Sequence, residues 1–270
     1  MNKKMTIGVT VAIIMFAAVS AIYLLLPSDI SLYEKIKNHA YDITSLLVVI
    51  AVFSAFRTMD PKYSTRRWLF LSIGVSCWFI GDLIWTLMVY LGIDPFPSIA
   101  DGAYIMGHAC ILVATILKLI SIRSQTINKD LFNGIFIGIS IILIVGYTVL
   151  APILTSDETV INKFILVYYP IMDTFIIMNA VIIISALIAQ KDTIPWFLIC
   201  AGITLWTLAD SLSAYYSWRG IGTGIDWLNI LFLGGILCIG LGAFYRMLLN
   251  KGDITDDTPQ RSRKRVAVPS

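Results

Sequence analysis

Charge is what this chain has least of: Asp, Glu, Lys and Arg make up 14% of its 270 residues and apolar residues 58%, against about 25% and about 45–50% in soluble domains. That deficit excludes an ordinary soluble protein, and no nucleic-acid partner is expected of it. Cysteine is sparse too. Cys77, Cys110, Cys200 and Cys238 lie singly inside apolar segments, where cysteine behaves as a small core residue. No CxxC or Cys/His ligand spacing occurs, which argues against zinc, haem and iron–sulfur sites. The glycines of the GxGxG run, Gly220, Gly222 and Gly224, follow no strand and so make no phosphate loop. No catalytic signature stands out, and no catalytic residue, metal or cofactor is assigned.

What the chain has instead is a succession of apolar runs of about 20 residues, each able to span a hydrocarbon core of about 30 Å. Eight spans can be drawn, at 5–26, 42–57, 67–91, 102–121, 131–153, 164–189, 195–217 and 226–248. The expected fold is therefore an all-α polytopic membrane protein, its first segment a retained helix rather than a cleaved signal. With the N-terminus placed in the cytoplasm, sixteen of the twenty Lys and Arg residues fall inside, a positive-inside bias. Both termini are then cytoplasmic, and the chain is expected in the cell membrane. From Asn250 the apolar pattern stops, and 250–270 reads as a disordered tail, acidic and then basic.

The segment from Trp78 to Tyr104 has a second copy from Trp206 to Asn229. Superposing them sets Trp78 on Trp206 and Asp82 on Asp210 and, with three residues fewer in the loop, Asp101 on Asp226 and Tyr104 on Asn229. This implies a duplication of two four-helix repeats, 1–126 and 127–249. Four helices per unit return each copy to the same side, so the repeats are parallel. Many transporters use inverted repeats, which disfavours transport without excluding it. Gly134 and Gly138 form a GxxxG pair suited to close helix packing.

Carboxylates inside the spans carry the chemistry. Trp78, Asp82 and Trp85 share one helix face, as do Trp206, Asp210 and Ser213. Asp82 falls roughly 13 Å below its helix end, where an aspartate costs about 2.5–3.5 kcal/mol to insert and normally faces the bundle interior with a partner. Asp42 and Asp173 form another pair, while Asp101 and Asp226 open helices as N-caps. Together with Tyr104, these residues mark an outward-facing acidic and aromatic pocket suited to a cationic or amphiphilic small molecule, a lipid or a cation. An all-oxygen set would favour a hard cation. His108 has Leu233 as its counterpart and reads as a packing residue.

The run W-x-x-x-D-x-x-W followed by P-S-x-A-D-x-x-Y, here Trp78, Asp82, Trp85, Pro97, Ser98, Ala100, Asp101 and Tyr104, resembles the multi-helix membrane input modules found ahead of diguanylate cyclase, phosphodiesterase and histidine kinase domains in prokaryotes. The resemblance implies a sensory, ligand-responsive module. After Leu249 no GGDEF, kinase or PAS segment follows, so signalling would run through a separate cytoplasmic protein. Gly81-Asp82 and Ala209-Asp210-Ser211-Leu212 are also similar to the paired aspartate helices of the lysoplasmalogenase family. That similarity implies an intramembrane lipid hydrolase using Asp82 and Asp210. A proton- or cation-coupled transporter is the third reading.

Overall fold

A backbone inside hydrocarbon has no water to bond, so an apolar run of this length closes its N–H and C=O groups on itself as helix. The computed structural model describes residues 3–26, 33–59, 65–124, 126–188, 194–218 and 226–249. It is all-α, with eight helices long and apolar enough to cross a membrane. α1 (Lys3–Leu25), α2 (Tyr33–Arg57), α3 (Thr65–Leu91) and α4 (Ile99–Ile122) come first. α5 runs as Asn128–Val145, a π-turn at Gly146–Leu150 and a last turn at Ala151–Thr155. α6 (Val160–Leu187), α7 (Ile194–Trp218) and α8 (Asp226–Leu249) complete the set. The 250–270 tail and the glycines of the last connection lie outside the described residues.

Local chemistry explains the interruptions. Pro152 has no N–H to give and its ring crowds the preceding turn, and the widened turn just before it absorbs that conflict, Ala151 N–H donating to Gly146 C=O. α3 ends where Gly92 turns left-handed (φ 67°), with the Ile93 N–H donating back to the Met88 carbonyl at 3.0 Å. α2 starts at Tyr33, well before the span expected from residue 42. Lys35, Lys37, Asn38 and His39 lower the hydropathy of the early stretch, yet its residues pack: the Lys37 ammonium lies 4.2 Å from the Tyr33 ring centroid and 5.9 Å from that of Tyr23 on α1.

Six helices close a ring in the order α2, α3, α4, α6, α7, α8, with α8 returning to α2. Contacts recur around it: α2–α3 is matched by α6–α7, α3–α4 by α7–α8, and α4–α6 by α8–α2. α1 leans on α8 and α5 on α6 from outside the ring. Accordingly 22% of the apolar window of α1 and 17% of that of α5 are buried, against 61% for α6. Ile13, Leu25, Phe132 and Leu143 point away from the protein, as lipid-facing residues do. Gly134 and Gly138 are used internally, seated against Ile182 and Met178 of α6.

α3 and α7 face each other across the middle of the ring and meet through indoles. Trp78 stacks on Trp206, ring centroids 4.0 Å apart and planes 11° from parallel. Nearer the opposite face, Trp68 meets Trp196 edge-on at 5.7 Å. Within each pair the residue numbers differ by 128 (206 against 78, 196 against 68). The same spacing governs the tightest helix crossings. A Cβ on Gly107 would stand 3.2 Å from the Gly74 carbonyl oxygen, and one on Gly235 would stand 2.7 Å from that of Gly202. Packing therefore sets Gly107 against Gly235, Asp101 at the level of Asn229 and Tyr104 at the level of Phe232. The alignment of Asp101 with Asp226 followed residue identity at two helix starts; the glycine crossings place the match three residues further on.

Candidate functional site

Small glycines bring α3 onto α4 and α7 onto α8, while the bulky Trp78–Trp206 stack holds the two pairs apart. On the face opposite the N-terminus of α1, that spacing leaves a cavity of about 670 Å³. Its floor includes Trp206, and its walls carry Tyr41, Asp42, Asp82, Trp85, Asp101, Tyr104, Tyr169 and Asp210. The early turns of α2 add Lys37, and the α3–α4 connection adds Asp94, Pro95 and Phe96 at the mouth. Of the residues expected at a pocket, Trp78 lies beneath it at 1% exposure and Asp173 behind it at 0%. Asp226 starts α8, but its side chain lies outside the described residues.

The acids have different surroundings. Asp82 accepts a hydrogen bond from the Tyr104 hydroxyl at 2.9 Å, and the Tyr104 ring lies so close to Gly81 that a Cβ there would meet it at 2.6 Å. Asp42, 6% exposed, has His39 at 4.0 Å on its own helix. Asp101 completes a capping box with Ser98: the Ser98 N–H donates to Asp101 Oδ2 at 2.8 Å, while the Ala100 N–H donates to Ser98 Oγ at 3.1 Å. Its other oxygen accepts from the Tyr169 hydroxyl at 3.0 Å, which ties α4 to α6. Tyr168 does the same one residue away, donating to the Ile105 carbonyl at 2.9 Å. Tyrosines 104 and 169 thus serve the cavity, whereas Tyr90 and Trp227, 49% and 43% exposed, suit an interfacial belt.

Asp210 and Asp173 meet a residue that sequence reasoning set aside. His108 is completely buried, with Nε2 3.4 Å from Asp173 Oδ1 and 3.8 Å from Asp210 Oδ2. None of these three atoms makes a hydrogen bond. On the other side of the ring, Nδ1–H donates to the Tyr104 carbonyl at 2.8 Å, which turns the Nε2 lone pair towards the carboxylates. The Trp78 indole N–H reaches Nδ1 only at 3.4 Å. Asp173 Oδ2 accepts from the Ser211 hydroxyl at 3.3 Å.

No family model matches this chain, and neither the curated proteins nor the solved structures give a significant match.

Function must then be argued from the cavity itself. Among the described lining residues are five aspartates, Asp42, Asp82, Asp94, Asp101 and Asp210, against one lysine, Lys37. Rings of Tyr41, Trp85, Phe96, Tyr104, Tyr169, Trp206 and Phe232 alternate with them. Ring faces and carboxylates both attract positive charge, more strongly where water is excluded. The signal for this was in the sequence at Asp82 and Trp206; for His108 the only clue was a lone polar residue inside an apolar span, seven positions past Asp101.

Proposed function

We propose that the protein is a membrane ligand-binding module of the sensory kind, which takes a small cationic or amphiphilic molecule into the cavity between its two halves. The carrying observation is the acidic and aromatic lining of a cavity of about 670 Å³ that opens on one face, within the usual size range of about 300–1,000 Å³ for small-molecule sites. Placing the termini in the cytoplasm makes that face extracellular. The halves are read as parallel four-helix repeats, a view supported by the recurrence of helix contacts around the ring and by the 128-residue spacing of the Trp and Gly pairs. Occupancy would act on the stack of Trp78 and Trp206, where the halves touch, and a separate cytoplasmic protein would read the change at the opposite end.

Two layers of indoles under the cavity favour binding over conduction. A hydrolase using Asp82 and Asp210 together finds less support, since Asp82 is engaged by Tyr104 and Asp210 faces His108. The test is native mass spectrometry on gently purified protein, comparing wild type with the double variant Asp42→Asn/Asp82→Asn. Losing charged partners of a desolvated ligand costs 2–5 kcal/mol, so retention of a co-purifying species should fall at least about tenfold. Equal retention by both proteins would defeat the reading, and lipid turnover abolished by Asp82→Asn would replace it with the hydrolase.

A further inference from the structure

We propose that His108, Asp173 and Asp210 form an intramembrane site for a divalent transition-metal ion of the Zn²⁺, Mn²⁺ or Fe²⁺ class, with an open coordination position facing the cavity. Three helices supply the ligands: α4 gives His108, α6 gives Asp173 and α7 gives Asp210. The donor atoms lie within 4.8 Å of one another. Around an ion with bonds of about 2.0–2.2 Å, donors stand about 3–4 Å apart, and the observed 3.4 and 3.8 Å from the imidazole nitrogen to the two carboxylates match that spacing.

Three further observations point to an ion rather than to packing. The converging atoms, His108 Nε2, Asp173 Oδ1 and Asp210 Oδ2, are buried and, with both acids ionised, no donor reaches them, an arrangement that costs free energy unless a cation or proton is bound between them. The imidazole is held as a ligand should be, with Nδ1–H on the Tyr104 carbonyl fixing the tautomer and Ser211 steadying the Asp173 carboxylate. Charge also closes: a neutral imidazole and two carboxylates carry −2, and no Lys or Arg among the described residues is paired with either acid. A divalent cation brings the cluster to neutrality inside the bilayer, as two bound protons would, whereas one proton alone leaves a net negative charge in hydrocarbon.

The donor set selects the metal class. Imidazole nitrogen with two carboxylates suits Zn²⁺, Mn²⁺ or Fe²⁺, where Ca²⁺ and Mg²⁺ prefer oxygen alone. This changes the expectation of a hard cation that an all-oxygen set would carry. Three protein ligands leave at least one position open, and since His108 and Asp210 both line the cavity, that position meets whatever enters it.

The experiment uses the full chain in detergent, stripped with a chelator, equilibrated with ZnCl₂ or MnCl₂, desalted and analysed for metal per chain. Wild type and Asp82→Asn, whose carboxylate lies outside the cluster, should retain about one ion; His108→Gln and Asp173→Asn should retain less than about a tenth of that. Zn²⁺ should raise the unfolding temperature of the wild type and leave that of the two cluster variants unmoved. As a check that needs no variant of the cluster, the pulsed EPR spectrum of bound Mn²⁺ should show coupling to an imidazole nitrogen, retained in His39→Ala, which removes the chain's other histidine. Folded wild type that holds no stoichiometric ion, Mn²⁺ without nitrogen coupling, or folded His108→Gln binding as well as wild type would each overturn the site. Because Asp82→Asn weakens the ligand pocket and spares the metal, failure of one reading is distinguishable from failure of the other.

Discussion

Gly202→Val should yield no monodisperse, folded protein. At this position α7 crosses α8 with backbone against backbone: a Cβ would collide with the Gly235 carbonyl oxygen and lie 2.9 Å from both the Cys238 Cβ and the Ile239 nitrogen. Flexible side chains can yield to an added methyl group; a helix backbone cannot. Association inside the bilayer lacks the hydrophobic push available in water and relies on close van der Waals packing between small residues. Forcing one crossing apart therefore removes attraction along its whole length, beyond the 1–3 kcal/mol usual for overpacking. Gly102→Ala, where nothing lies within 4 Å of the added carbon, should stay within about 0.5 kcal/mol of wild type. Size-exclusion profiles and thermal unfolding of the two variants decide the point; a folded, monodisperse Gly202→Val would contradict the packing described.

Trp78→Ala should destabilise the protein by about 3 kcal/mol, at the low end of the range for large aromatic truncations. Lipid is nearly as apolar as the core, so the transfer contribution shrinks and the cavity contribution remains. That contribution is large here because Trp78 is 1% exposed and stacks on Trp206 at the centre of the ring. Trp206→Ala should act similarly, and the double variant should cost less than the sum, because the second truncation removes a partner already lost. Additive losses would mean that the two indoles work independently. The coupling is read from unfolding curves of the two single variants and the double.

Helices and their lipid exposure were legible because the length of an apolar run is set by bilayer thickness and nothing in the sequence competes with that signal. Asp82 and Asp210 were legible as interior residues for a related reason: a carboxylate at that depth has few tolerable surroundings. The beginning of α2 was hidden because Lys37 and its neighbours depress the hydropathy, although packing against Tyr23 and Tyr33 keeps them helical. His108 was hidden by its isolation. Its role depends on α6 and α7 arriving from distant sequence, and a single residue without a counterpart carries no pattern. Asp101 and Asp226 report poorly on tertiary level, because an aspartate at a helix start is favoured by the helix itself, whereas glycine at a backbone crossing reports it directly. Trp68 and Trp196 share the spacing of Trp78 and Trp206 and offered the same register.

The proposed cavity is lined by acids and open to one side of the membrane, and thiol labelling of a single cysteine tests it most directly. Ala214 lines the cavity beside Ser213; it would be changed to cysteine in a background lacking Cys77, Cys110, Cys200 and Cys238. Rates with a trimethylammonium and a sulfonate methanethiosulfonate reagent, each normalised to its rate with a free thiol, would be compared from either side of sealed vesicles. Labelling is expected only from the side opposite the N-terminus, at least about tenfold faster with the cationic reagent, as for a cleft lined by one sign of charge, with that preference collapsing in Asp42→Asn/Asp82→Asn. An unreactive cysteine in folded protein, or equal normalised rates for the two reagents, would contradict it.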